Sequence, residues 1–348
     1  MREPPRPISV LIGICALILI GGALFFASSV FAPIAFALFV MAIVWPFQSR
    51  LQTHLPKIIA LAICILVTTV VMTAFGSVIA WGFSRVVRYI INDAARFQGF
   101  YGQMSDWLEG HGIVLAGLWA EHFNVGWLIR LLQEIAGRVN SMLTFLLVVL
   151  IYVMLGLLEV DDVAHRLGSH GGELGRAVLI GGAETAAQLR RYMLVRTWMS
   201  VMTGVLVWAF AKSTGLALAV EWGVIAFALN YIPFIGPFIA TVFPTLFAMA
   251  QFESWQMTVV VFACLNLIQF LVGSYLEPRI SGSALSISPS VVLFAVFLWT
   301  FLWGIAGTFI GVPVMIAVLT ICKQHPSSRW ISDLLGTSGE KSRRMPMP

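Results

Sequence analysis

Apolar residues in this chain fall into long blocks, and charged residues lie in the gaps between them. Residues 7–49 contain no Lys, Arg, Asp or Glu. About 20 apolar helical residues cross a bilayer core, so this block predicts two spans, near 8–27 and 31–48, with a turn at Ser28-Ser29 ahead of Pro33. Similar blocks predict spans near 58–81, 139–158, 197–218 and 254–276. Lys212 sits near one end of the fifth, where its stem can snorkel to the interface. Glu277-Pro278-Arg279 closes the sixth.

Two further blocks do not fit a single crossing. Residues 222–252 are charge-free and would make a helix of about 46 Å, against a hydrocarbon core of about 30 Å. At their centre stands Asn230-Tyr231-Ile232-Pro233-Phe234-Ile235-Gly236-Pro237. Proline removes a backbone donor and glycine tolerates non-helical angles. Interrupted backbone survives in a membrane when protein buries it or it lines a watery cavity. The pattern predicts a re-entrant or discontinuous element on a translocation path; the plainer alternative is a Pro-kinked packing helix. Residues 280–322 form the second block, carrying Gly304, Gly307, Gly311 and Pro313. Ile235-Gly236-Pro237-Phe238-Ile239-Ala240 is echoed there by Ala306-Gly307-Thr308-Phe309-Ile310-Gly311. Each block follows a full span, so the two units read as an inverted repeat of opposite orientation, a layout common in secondary transporters. The tips, 233–237 and 304–307, are expected to meet near the midplane.

The remaining segments are amphipathic or polar. Phe83, Val86, Val87, Ile90, Ile91, Ala94 and Phe97 recur at helical spacing, with Arg85, Arg88, Asn92 and Arg96 between them. Trp127, Leu128, Leu131, Leu132, Ile135 and Val139 repeat the pattern opposite Arg130, Glu134 and Arg138. Trp107 and Trp119 lie between, with Gly110-His111-Gly112. We expect an interfacial helical cap over 83–140, with an oligomer contact as its second expected role, and expect 159–196 to be polar, with a helical tail over 183–196.

Composition sharpens this reading. The chain has 348 residues, of which 11% are charged and 59% hydrophobic, whereas soluble domains carry about 25% charged residues. It is read as an all-α polytopic membrane protein of about six full spans plus two broken hairpins. The net charge of +5 reflects topology, not nucleic-acid binding. With the N-terminus in the cytoplasm, fifteen Lys and Arg fall inside and six outside, as the positive-inside rule favours. Both termini are then cytoplasmic. The parts are 1–82 (three spans), 83–140 (cap), 141–196 (fourth span and basic segment), 197–322 (transport core) and 323–348 (tail). Cys15, Cys64, Cys264 and Cys322 sit in apolar segments without metal or disulfide spacing.

Candidate chemistry is sparse. Asn230, Asn266 and Gln269 lie deep in apolar blocks, where an amide needs hydrogen bonds. They can line a path or serve as helix–helix glue. Asn266, Gln269, Gly273 and Glu277 share one helical face by spacing. Glu277 and Arg279 are a candidate gating or coupling pair. No carboxylate falls deep within a span, which disfavours a proton relay and favours a neutral, hydroxyl-rich solute. There is no Walker A motif, nucleophile elbow or metal-binding histidine pattern, so no enzyme activity, cofactor or metal is expected.

Asn230 to Pro237 closely resembles the I-P-x-I-G-P signature of the autoinducer-2 exporter family, the PerM-like permeases. Gly215-Leu216, Leu276-Glu277-Pro278-Arg279-Ile280, Ser288-Pro289, Gly304-Ile305-Ala306-Gly307 and Val312-Pro313 resemble its other motifs. The resemblance implies an exporter of small molecules in the bacterial inner membrane, with autoinducer-2 as the namesake substrate; some members resemble cation/proton antiporters. The expected path comprises Asn230, Tyr231, Pro233, Gly236, Pro237, Asn266, Gln269, Gly304, Gly307, Thr308 and Pro313. Expected partners are the lipid bilayer, a small polar solute and further copies in a homo-oligomer. The alternatives are a Na+/H+ antiporter or a non-transporting membrane scaffold.

Overall fold

A computed structural model describes residues 6–93, 110, 125–281, 287–324 and 328–335. These residues form an all-helical protein, and among them seven helices are long and apolar enough to cross a membrane. The helices are α1 (Arg6–Phe26), α2 (Ser28–Gln52), α3 (Lys57–Asn92), α4 (Val125–His170), α5 (Gly172–Ser213), α6 (Ala219–Leu229), α7 (Ile235–Phe252), α8 (Trp255–Gln269), α9 (Glu277–Ser281), α10 (Pro289–Gln324) and α11 (Arg329–Leu335). A π-helical stretch, Phe270–Leu276, joins α8 to α9. The chain divides into two units.

The unit containing residues 66–145 and 191–285 holds the first broken block. The block is a hairpin: α6 descends, residues 230–234 turn, and α7 returns. Trp222 of α6 meets Phe247 of α7 edge-on at 5.4 Å. Nearer the tip, a Cβ on Gly236 would overlap the Leu229 carbonyl, so only glycine lets α7 start this close to the end of α6. Gln251, at the far end of α7, closes the base: its Nε2 donates to the Gly215 carbonyl at 2.9 Å, and its Oε1 accepts from the Ala217 N–H at 2.8 Å. Both groups belong to the turn between α5 and α6, where helical partners are missing. The hairpin therefore enters and leaves at one end. Beside it, α5 and α6 touch through Gly204 and Gly223, where a Cβ on either would lie 2.8 Å from the other's carbonyl oxygen.

The other unit, residues 1–65, 146–190 and 286–348, carries the second block as α10. Gly304 breaks it, with φ 59° and ψ −137°, angles open in practice to glycine alone. The halves lie antiparallel, since added Cβ atoms on Gly307 and Gly311 would run into the carbonyls of Trp299 and Ala295. Gly307 thus repeats the role of Gly236. The base is tied by the Ser288 N–H donating to the Leu335 carbonyl of α11 at 3.2 Å. At the tip, Trp303 Nε1 donates to the Leu24 carbonyl at 3.1 Å, one of the carbonyls left open where α1 ends. In α2, Pro46 removes the donor for the Ala42 carbonyl, and Arg190 Nη1 supplies one at 2.8 Å.

Three expectations change. Residues 83–92 continue the third span instead of forming a cap: Val86 is buried with Trp222 and Phe247, and Arg85 pairs with Glu221 at 3.1 Å. Val86, with Tyr89 and Ile90 beside it, packs on the hairpin base, while Phe83 is exposed. Of the rest of the cap, residues 94–109 and 111–124 lie outside the described residues, and 125–140 open α4. The polar segment 159–196 is helical almost throughout, interrupted at Gly171-Gly172, where Gly172 takes φ 55°. The sixth span does not stop at Glu277, because the helical backbone continues through Ser281.

Replacing Gly223 by Ala forces α5 and α6 apart. It is expected to lower the thermal midpoint of the purified protein by several degrees, on the order of 1–3 kcal/mol. Gly76→Ala, facing open space, is the control with an unchanged midpoint. Equal midpoints for both variants would show that the helix contact yields.

Candidate functional site

The tip of the first hairpin rests on a polar stretch of α5. Its backbone is strained: Phe234 takes φ 62° and ψ −56°, a region bulky residues rarely enter. Before that point the chain makes two side-chain contacts with α5. Asn230 is buried, and its Nδ2 donates to Ser200 Oγ at 3.2 Å. Tyr231 OH donates to Thr197 Oγ1 at 3.0 Å. The Tyr231 ring also sits edge-on to Phe75 and Phe227, at 5.5 and 5.6 Å. Each neutral hydrogen bond contributes about 0.5–1.5 kcal/mol, so the tip is docked without being locked.

One residue before Thr197 lies a buried ion pair. Arg196 Nη1 reaches both carboxylate oxygens of Glu277, at 2.9 and 3.0 Å. The side chains are 6% and 21% exposed. Arg196 Nε is enclosed without a partner. Val195 and Met199 of α5 pack against Val272 of the π stretch, flanked by Met202, Ile268 and Leu276. The π stretch therefore packs along α5, with Glu277 beside Arg196. Gln269 closes α8, and Thr203 lies on α5. Both carry an enclosed, unpartnered atom, Nε2 and Oγ1 respectively. π-Helical insertions occur frequently at functional sites.

The sequence model of the AI-2E family transporter matches residues 14–327. The chain belongs to the AI-2E transporter family. It is 26% identical to the AI-2 transport protein TqsA of Escherichia coli K12 over 337 residues, 94% of this chain and 95% of that protein. It is 25% identical to the putative transport protein YhhT of the same organism over 353 residues, 98% and 99% of the two chains. A putative transport protein of Borreliella burgdorferi is 30% identical over 213 residues, 61% of this chain and 58% of that one. As a member of the AI-2E family the protein is a multi-pass membrane transporter and not an enzyme.

Within this AI-2E transporter the expected path residues divide. Asn230, Tyr231, Pro233, Gly236 and Pro237 cluster at the first tip, and Gly236 is buried. Gly304, Gly307, Thr308 and Pro313 lie on α10, in the other unit. There Thr308 Oγ1 donates to the Gly304 carbonyl at 3.0 Å and lies 2.8 Å from Thr300 Oγ1. The face shared by Asn266, Gln269, Gly273 and Glu277 is split. Asn266 is exposed, with its amide donating to the Phe262 carbonyl of its own helix at 2.8 Å, and Gly273 is also exposed, while Gln269 and Glu277 are half-buried. The intervening π turn alters the spacing that put all four on one side. Glu277 pairs with Arg196 and not with Arg279, whose guanidinium instead stacks 4.2 Å over Tyr275. Ser200 and Thr197, on which the first tip rests, are 13 and 16 residues from Ser213, or about 20–24 Å along α5.

Sequence reasoning missed Arg196, Thr197, Ser200 and Thr203. A helical-face count on α5 would have put Arg196, Ser200 and Thr203 together, at i, i+4 and i+7. Glu277→Ala strands the buried guanidinium and is expected to destabilise the protein by on the order of 3 kcal/mol, read as a lower thermal midpoint. The exchange Arg196→Glu with Glu277→Arg should recover part of that loss. An additive double variant would show that the two residues act independently.

Proposed function

We propose that this transporter exports a small, neutral, hydroxylated solute of the autoinducer-2 type across the bacterial inner membrane by alternating access, with both termini cytoplasmic. The observation that carries the reading is the first hairpin: an interrupted element closed at its base by Gln251 and docked at its tip only through side chains. Such an element can part from α5 without breaking helical hydrogen bonds. The tip carries no charge, so Asn230 and Tyr231 there suit an uncharged solute. The similarity to the AI-2 transport protein TqsA supports autoinducer-2 as the first solute to test. The orientation rests on the Lys and Arg distribution.

Purified protein in liposomes is expected to move autoinducer-2 down an imposed gradient. Gly236→Leu should abolish that flux with insertion intact, because any side chain there overlaps the Leu229 carbonyl. Wild-type flux in this variant would mean that the break only shapes a packed helix. Orientation has its own test. With Cys264, Cys15, Cys64 and Cys322 removed, cysteine at position 253 should react with an impermeant maleimide from outside, and cysteine at 170 only after the inner face is exposed. The reverse labelling would overturn the topology.

A further inference from the structure

The second hairpin stands on two feet, the start and the end of α10, and α11 bridges them. At the first foot, Ser288 Oγ accepts from the Val291 N–H at 3.4 Å, while the Ser288 N–H donates to the Leu335 carbonyl at 3.2 Å. At the second foot, Ser328 Oγ donates to the Cys322 carbonyl at 3.0 Å. Both carbonyls close a helix, where helical donors are missing. A helix of seven residues is too short to persist alone, so α11 depends on what its faces touch. At about 100° per residue, Trp330, Leu334, Ile331 and Leu335 fill an arc of about 140°. Arg329 and Ser332 lie on the opposite side. The apolar arc is divided: Ile331 and Leu335 are half-buried, whereas Trp330 and Leu334 are 62% and 70% exposed.

We propose that α11 is an interfacial anchor: Trp330 and Leu334 insert among phospholipid headgroups and upper acyl chains, and that contact holds the strap across the base of the second hairpin. The surroundings select lipid as the occupant. α10 is apolar enough to span a membrane, and exposed apolar side chains reach both of its feet, Leu293 and Phe294 at one, Val318 and Ile321 at the other. Ile321 directly precedes the carbonyl that holds Ser328. Trp330 and Leu334 therefore continue the surface that α10 turns to lipid, out to its edge. Tryptophan is enriched at that level, and a helix with one apolar arc lies in the interface plane. Lys323 and Arg329, both exposed, bring cations there for the lipid phosphates. The anchor does not depend on which solute is carried or in which direction.

The test uses the full chain in phospholipid nanodiscs. In the cysteine-free protein, Trp330→Cys, Leu334→Cys and Arg329→Cys each carry a bimane label. Lipids with a nitroxide near the headgroup end of the acyl chain should quench bimane at 330 and 334 several-fold more than at 329, and aqueous iodide should show the opposite order. Equal iodide quenching at all three positions would show that the face meets water and overturn the anchor. Protection of 330 and 334 from both quenchers would show that protein covers it, a second copy or the chain beyond 335, and would overturn it equally. The strap has a separate readout, hydrogen exchange in a peptide spanning Ser288. Removing both apolar side chains together, Trp330→Ser with Leu334→Ser, should speed that exchange about tenfold, the loss expected when roughly one apolar side chain's burial is forfeited. A peptide spanning Gln251, in the other unit, should keep its wild-type exchange and so separates strap release from general unfolding. Unchanged exchange at Ser288 would mean that the strap holds without lipid.

Discussion

Lipid offers backbone groups no hydrogen-bond partner, so each place where a helix stops inside a membrane must be repaired from within the protein. The interrupted helices of this chain follow from that constraint. At the base of the first hairpin, one glutamine amide satisfies both a carbonyl and an N–H of the turn between α5 and α6. In the other unit, Trp303 caps the end of α1, and Arg190 replaces the donor that Pro46 removes. Each repair uses a side chain, and side chains can exchange partners where a helical ladder cannot. The result is interrupted helices that remain stable yet retain parts able to move.

The two hairpins solve one problem in the same way. In each, a glycine just past the break lets the returning helix start against the last carbonyls of the descending one. A Cβ would collide with backbone in both cases, and backbone cannot rotate away. The hexamers around Gly236 and Gly307 resemble each other for this reason: the small residue and its neighbours are dictated by the approach of two helix ends. The backbone angles at the breaks differ, Phe234 in one and Gly304 in the other, so the repeat is one of packing and not of turn type.

Much of this was legible in the sequence. The spans followed from the apolar blocks, and the breaks from proline and glycine in blocks too long for one crossing. What stayed hidden depended on contacts distant in sequence. Arg196 and Glu277 are 81 positions apart, and the nearer Arg279 offered a simpler partner. The π turn at 270–276 shifts the helical count, so the face drawn through Asn266 and Gly273 could not be right. The amphipathic stretch from Phe83 was read correctly as a helix, but pattern alone does not say whether an apolar stripe meets lipid or protein. Here Val86 meets protein, in one cluster with Trp222 and Phe247.

The central claim is that the hairpin tip leaves α5 during transport. Cysteines at positions 197 and 231, whose native side chains touch through a hydrogen bond of 3.0 Å, can be joined by a short bifunctional maleimide or by oxidation in an otherwise cysteine-free protein. The account predicts that joining them stops autoinducer-2 flux in liposomes and that reducing the disulfide restores it. Undiminished flux through fully cross-linked protein would show that the tip stays docked, and would contradict the account.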